Sequence, residues 1–334
     1  MREHTSYDHR MRMPRQARAV WALAVLGGAV ASCGSRTGLF GEGAGVGTTT
    51  NGPHAIGEAG ADATVDVVDS GLDVIPPIDV MPKPDVDRTD CPDADATFIY
   101  VVTQQQELFS FFPPTLTFKL VGNLVCPVTP GVTPFSMAVD RRGVAYVLYE
   151  DGHLYRVSTA TGACTATSFA VGQDGFQTFG MGFASDFGGA AERLYISDNN
   201  FDMTLRGLGF IDTTTFKVSF LGPYGADIQR SELTGTGDGR LFAFWPDNVS
   251  GNGSHLTELN KASGGVLAQT NLPVGDVNDA FAFAFWGGDF WIFTGTGGPS
   301  DVNRFRPTDG TTTTPTTHPS TIVGAGVSTC APQL

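Results

Sequence analysis

A chain of 334 residues with only 16% charged residues, 43 Gly, 20 Pro and 24 Phe is neither a coiled coil nor an Ala/Leu/Glu-rich helical bundle. Its 20 basic residues stand against 34 acidic ones, a net charge of -14, which leaves no basic patch to neutralise phosphates and excludes nucleic acid as a partner. The charge divides the chain into three parts: +3 over residues 1–33, -9 over residues 34–96 and -8 over residues 97–334. Phe40 is the single aromatic residue between 34 and 96, so only the last part can bury a core.

Arg12, Arg15 and Arg18 precede an apolar and small-residue run from Ala19 to Ala31, too short to span a bilayer as a stable helix. Residues 1–32 therefore read as an export signal. The segment Val30-Ala31-Ser32-Cys33 resembles the bacterial lipobox, in which an aliphatic and two small residues precede a cysteine that receives diacylglycerol. That resemblance implies that Cys33 is the lipidated first residue of the mature chain, with a lipid bilayer as its partner. The expected location is the cell envelope, anchored to the outer membrane. Residues 33–96 follow as a tether. Gly and Pro fill 16 of the 63 positions from 34 to 96, and Asp-Val units recur there without helical or strand period, so a disordered acidic spacer is expected.

From residue 97 onward the sequence repeats. Strand-like runs start at Phe98, Ala145, Leu194, Leu241 and Phe290, spaced by 47, 49, 47 and 49 residues. Each is followed by a second run, near Leu108, Leu154, Leu208, Leu256 and Val302. Polar turns such as Thr159 to Gly162, Lys261 to Gly264 and Pro307 to Gly310 then lead to an outer strand. Upstream of four runs lies a strand that mixes large residues with Gly or Ala, at Ser136, Gly180, Glu232 and Ala280, a texture suited to strands crowded around an axis. The first unit lacks one, and Thr321 to Ser328 at the other end of the chain has the same texture. The predicted fold is an all-β, five-bladed propeller over residues 97–334, closed by the C-terminal strand. A β-sandwich also yields many short strands, but it does not require an even period.

Five cysteines leave four once Cys33 is lipidated, an even number in an oxidising compartment. Three pairings are open. Cys91 just before the first strand and Cys330 just after the last suit a clasp, which leaves Cys126 and Cys164 as the second pair.

Neither a metal ligand set nor a cofactor motif is expected, because the six histidines are scattered and no CxxC, phosphate loop or nucleophile elbow is present. Asp198, Asn200 and Asp202 have the opening spacing of a calcium loop, but Met203 and Gly209 stand where that loop needs Gly and Glu. Carboxylates at inner-strand ends are the candidate catalytic groups: Glu232 opens one strand, and Asp140, Asp186 and Asp238 lie in turns, where they also serve as tight-turn residues. The candidate binding surface is the rim formed by the long loops Asp198 to Arg206, Pro246 to Ser254 and Gly295 to Ser300. Its contact residues are Asp198, Asn200, Asp202, Phe201 and Trp245, a mixture suited to sugars or extended peptides.

Cys33 to Leu39, Pro134 to Asp140, Glu232 to Gly239, Ala282 to Phe290 and Gly324 to Cys330 resemble segments of uncharacterised secreted lipoproteins of myxobacteria. The resemblance implies the location and the fold, and no activity. The resulting expectation is a monomeric, membrane-anchored propeller that binds or scaffolds an unknown polar ligand or protein partner. The alternative is a hydrolase or lactonase with an axial carboxylate site.

Overall fold

The computed structural model describes Cys91 and residues 98–186, 189–199, 206–224, 228–247, 253–275 and 280–334. The export signal, the lipobox with Cys33 and the acidic segment up to residue 90 lie outside the described residues.

Twenty strands form five four-stranded antiparallel sheets among the described residues. Blade one comprises β1 (Ile99–Thr103), β2 (Glu107–Phe112) and β3 (Thr117–Asn123), with β20 (Ile322–Val327) on its inner edge. Blade two is β4 (Pro134–Val139), β5 (Val144–Tyr149), β6 (Leu154–Ser158) and β7 (Cys164–Ala166). Blade three is β8 (Phe179–Ser185), β9 (Glu192–Asp198), β10 (Leu208–Ile211) and β11 (Val218–Gly222). Blade four is β12 (Glu232–Gly235), β13 (Leu241–Pro246), β14 (Ser254–Leu259) and β15 (Val266–Leu272). Blade five is β16 (Ala280–Trp286), β17 (Asp289–Gly295), β18 (Ser300–Arg306) and β19 (Thr311–His318). The chain is a five-bladed β-propeller, closed by pairing of β20 with β1 in the register Ile99 to Val327 and Val101 to Ala325.

Residue type follows position in the blade. Second strands such as β5 and β17 are covered on both faces and mostly apolar, Val144–Tyr149 throughout in β5 and Phe290–Phe293 in the middle of β17. Outermost strands are polar and exposed, and Pro315 in β19 sits on such an edge, where a missing N–H costs no ladder bond. The turn before the outermost strand recurs. Gly162, Gly264 and Gly310 have φ near +70° and donate their N–H to Ser158, Asn260 and Arg306. Blade three makes the same turn with Phe216 at φ 55°, a conformation that an L side chain rarely adopts.

The apolar residues gather between blades. Five separate cores join blades one to two, two to three, three to four, four to five and five back to one, so burial itself closes the ring. Around the axis, small residues let neighbouring inner strands touch backbone to backbone. A Cβ on Gly180 of β8 would lie 2.0 Å from the Ser231 carbonyl oxygen, and one on Gly182 would lie 2.6 Å from that of Leu233. Gly324 and Gly326 of β20 abut the Met137 and Val139 amides in the same way, each at 2.8 Å. Cys91 is bonded to Cys330 and Cys126 to Cys164, the pairing expected from their positions.

Candidate functional site

All inner strands run in one direction along the axis, so their first residues share one end. There a cavity of about 630 Å³ opens, lined from every blade. Blades five, one and two supply Phe281, Val323 and Phe135, each the second residue of its inner strand. Phe135 and Val323 are the extra residues of two β-bulges, opposite the Tyr149–Leu148 and Val102–Thr103 steps of their partner strands. A bulge re-aims a side chain, and here both side chains line the cavity. Blades three and four supply Thr178, Asn199, Arg230 and Glu232. The cavity thus has an apolar arc and a polar arc, to which Gln104 and Glu150 add polar groups.

One backbone bond repeats around this mouth. The residue after the second strand donates its N–H to the residue just before the inner strand: Gln104 to Thr321 at 2.9 Å, Glu150 to Thr133 at 3.0 Å and Asn199 to Thr178 at 3.0 Å. These bonds hold Gln104, Glu150 and Asn199 at equivalent places. Asn199 is buried, and its side-chain Oδ1 has no hydrogen-bond partner among the described residues.

Glu232 forms the floor. From blade four it reaches across the axis to blade two, where the Ser136 hydroxyl donates to its Oε2 at 2.7 Å, and it accepts the Met181 N–H from blade three. Burial pushes its carboxyl well above the ordinary carboxylate range, and the two hydrogen bonds only partly oppose that shift. Burial also lowers the Arg230 guanidinium from its usual value.

The opposite end of the axis is plugged by a network with little sequence signature. The Arg141 guanidinium is buried and donates to the Thr329 hydroxyl at 3.2 Å, to Ser185 Oγ at 3.5 Å and to Cys91 Sγ at 3.6 Å. Glu192 accepts the Arg141 backbone N–H at 2.7 Å and the Thr329 hydroxyl at 2.9 Å. Burial raises Glu192 to about 7, with nearby Asp140 adding to the shift and the Arg141 charge opposing it.

Both raised carboxyls make stability depend on pH. A fold that favours the protonated form holds that contribution fully below the ordinary value of 4.5 and loses it as pH rises through the folded pKa. For Glu192 the window runs from 4.5 to about 7. The double variant Glu192→Gln/Glu232→Gln keeps an acceptor at both places, and its melting temperature is expected to fall less steeply across pH 4.5 to 7 than that of the parent. Parallel slopes would show that these groups ionise as freely in the fold as in the unfolded chain.

Of the residues singled out from sequence, Glu232 lies in the cavity, and the loops that follow β9 and β17 reach it through Asn199 and Gly297. Asp198 is buried, and its Oδ2 accepts the Arg206 N–H at 2.8 Å. Asn200, Phe201 and Asp202 lie outside the described residues. Trp245 does not present a flat face to solvent as expected. It is 5% exposed, stacked on His255 at 4.1 Å, with its indole N–H donated to Thr257. The cause is its place in β13, a second strand covered on both faces.

The axial aspartates do not converge with Glu232. Asp140, Asp186 and Asp238 follow the inner strands and so lie at the far end of the axis. Asp140 is a turn residue, accepting the N–H groups of Arg142 and Val144 at 2.9 and 2.8 Å. No cluster of three metal-ligating side chains occurs among the described residues.

No family model and no curated protein matches the chain. Among solved structures the fold is similar to a chain of the nidogen/laminin complex, with TM-score 0.45 and 12% identity over 69% of this chain and 97% of that one. It is similar also to Kuenenia stuttgartiensis hydrazine synthase, with TM-score 0.40 and 14% identity over 65% and 62% of the two chains. The Dos1 propeller aligns with TM-score 0.35 and 13% identity over 62% of this chain and 52% of that one.

Proposed function

We propose that this protein is an exported, membrane-anchored binding module, a monomer that carries its ligand site at the axial mouth of the propeller. The observation that supports it most is the cavity of about 630 Å³ to which all five blades contribute, within the size range of small-ligand sites. The fold supplies a rigid ring and leaves function to the loops at its rims. The two disulfides fit an oxidising, extracytoplasmic compartment. No helix among the described residues is long and apolar enough to cross a membrane. Attachment is assigned to acylated Cys33, and the outer membrane of the cell envelope to its location, on the lipobox and on the resemblance to myxobacterial lipoproteins. Two or three acyl chains, at about 0.8 kcal/mol per buried CH2, hold a protein on a bilayer.

The experiment is fractionation of cells that carry the parent or Cys33→Ser. The parent is expected in the membrane and detergent phase and the variant in the soluble exported fraction; equal membrane retention would overturn the anchor. A second reading, a hydrolase or lactonase, draws on Glu150 and Glu232 lining one cavity. Hydrolysis of aryl glycosides or lactones by the parent and its loss in Glu232→Gln would favour it.

A further inference from the structure

The outer edges of the five blades are not equally protected. An edge strand leaves its outward N–H and C=O groups open to another chain, and proteins blunt such edges with charge, proline, bulges or brevity. β3 carries Lys119 and is bulged at Val121. β7 has three residues, and β11 is bulged at Leu221. β19 is bulged at Thr314 and Pro315. β15 differs. Its bulge falls near its start, at Leu267, and from Ala268 to Leu272 it runs in unbroken register, without charge or proline and exposed as far as Asn271. It ends its sheet, so no strand among the described residues pairs with its outer side.

A groove of about 360 Å³ lies along the same strand, between blades four and five. Ala268 and Thr270 stand opposite Glu258 and Leu256 in the ladder, and all four line the groove, so one face of β15 forms its wall. The nearly buried rings of Phe242, Phe285, Phe290 and Phe305 form the floor. The turn before β19 supplies Pro307, Thr308 and Gly310.

A strand added to β15 would alternate its own side chains between the two faces of the blade. Those level with Ala268 and Thr270 enter on the groove side, where these two small residues leave room for larger ones. The groove thus selects apolar residues two positions apart. Among the charged groups that line it, Arg240 donates two hydrogen bonds to Glu258, at 2.9 and 2.7 Å, and Asp238 adds a further negative charge. With the whole chain at -14, the field favours a cationic occupant. A second copy is a poor match. Pairing through its own β15, it would offer the groove Ala268 and Thr270 or Gln269 and Asn271, none of them large and apolar, and it carries the same net charge.

We infer that β15 takes up a short extended segment of a cationic protein partner as a fifth strand of blade four, with two apolar side chains of that segment in the groove. Backbone hydrogen bonds along the edge supply affinity, and the groove supplies selection. The site lies on the outer flank of the ring and does not depend on what the axial mouth binds.

The test is fluorescence anisotropy on the full-length chain with labelled heptapeptides in which two apolar residues, valine, leucine or phenylalanine, alternate with threonine between lysine ends. The other arms are the same peptides with glutamate ends, with the apolar pair made adjacent, and with backbone N-methyl groups on either the threonines or the apolar pair. Hydrogen exchange over residues 266–272 reports the location. At least one lysine-ended peptide is expected to bind with Kd below about 1 mM and to slow that exchange, and one of the two N-methylated sets to bind about tenfold or more weakly. Leu267→Lys and Ala268→Lys, both at exposed positions, should each weaken binding about tenfold, whereas Leu120→Lys on the outer strand of blade one should not. Near-UV circular dichroism checks the fold of each variant, and the peptide arms decide the matter without any variant. No binding by any lysine-ended peptide, equal binding of both N-methylated sets, tighter binding with glutamate ends or exchange slowed elsewhere overturns the inference. Exchange over residues 266–272 that slows with rising protein concentration, without peptide, overturns it in favour of a second copy.

Discussion

Gly180→Ala should lower the melting temperature by about 10 °C, the consequence of about 3 kcal/mol of overpacking in a ring of this size. The added methyl would lie 2.0 Å from the Ser231 carbonyl oxygen and 2.7 Å from Glu232 Cα, and both are backbone atoms of the neighbouring inner strand that cannot rotate away. β12 must then move outward. It carries Glu232, so the bond across the axis to Ser136 lengthens with it. Gly275→Ala is the control, because nothing lies within 4 Å of a Cβ there and its melting temperature should match the parent. Differential scanning calorimetry of the two variants decides the matter. Equal melting points would mean that the inner strands do not meet as closely as the ring requires.

Cys91→Ser/Cys330→Ser should be the more destabilising of the two disulfide removals. The bond closes a loop of 239 residues, worth about 5 kcal/mol in the chain-entropy model, against about 4 kcal/mol for the 38-residue separation of Cys126 and Cys164. The clasp has a second effect that the shorter bond lacks. Cys91 Sγ lies 3.6 Å from the Arg141 guanidinium, which itself contacts Thr329 and Ser185, so its loss also loosens the plug at the far end of the axis. Thermal melts of the two double variants, and of the parent with and without reductant, should rank parent, then Cys126→Ser/Cys164→Ser, then Cys91→Ser/Cys330→Ser. The reverse order would place the main stabilisation in blade two rather than in ring closure.

The ring was legible because each blade solves the same packing problem with similar residues. Runs opening near Phe98, Ala145, Leu194, Leu241 and Phe290 had to be second strands, and the mixture of glycine with larger residues from Thr321 to Ser328 marked an inner strand without a blade of its own. Closure and both disulfides followed from that one recognition. Glu232 was legible too, as an acid at the start of an inner strand. What it touches was not. Ser136 is 96 residues away, and Arg141 meets Glu192 and Thr329 at separations of 51 and 188, contacts with no local pattern to announce them. The bulges that turn Phe135 and Val323 into the mouth depend on strand register, which periodicity does not specify to one residue. Asn199 carries no sequence signal of its own, since the calcium-loop spacing falls on Asp198 and Asn200 on either side of it. The burial of Trp245 is legible in the sequence: it ends an apolar run from Leu241, and such a run is covered on both faces, so its last aromatic belongs to a core.

The clasp also decides how the ring bears tension. Ile99 at the start of β1 lies directly opposite Val327 at the end of β20, so the two strands that close the ring present adjacent ends on the side where Cys91 meets Cys330. A pull on the chain before Cys91 divides at the sulfur. One share runs along the chain toward β1 and the other crosses to Cys330 and β20. Both strands are drawn the same way, so the force does not peel one from the other. A pull on Cys91 is thus shared by two adjacent strand ends on a single seam rather than borne by one of them.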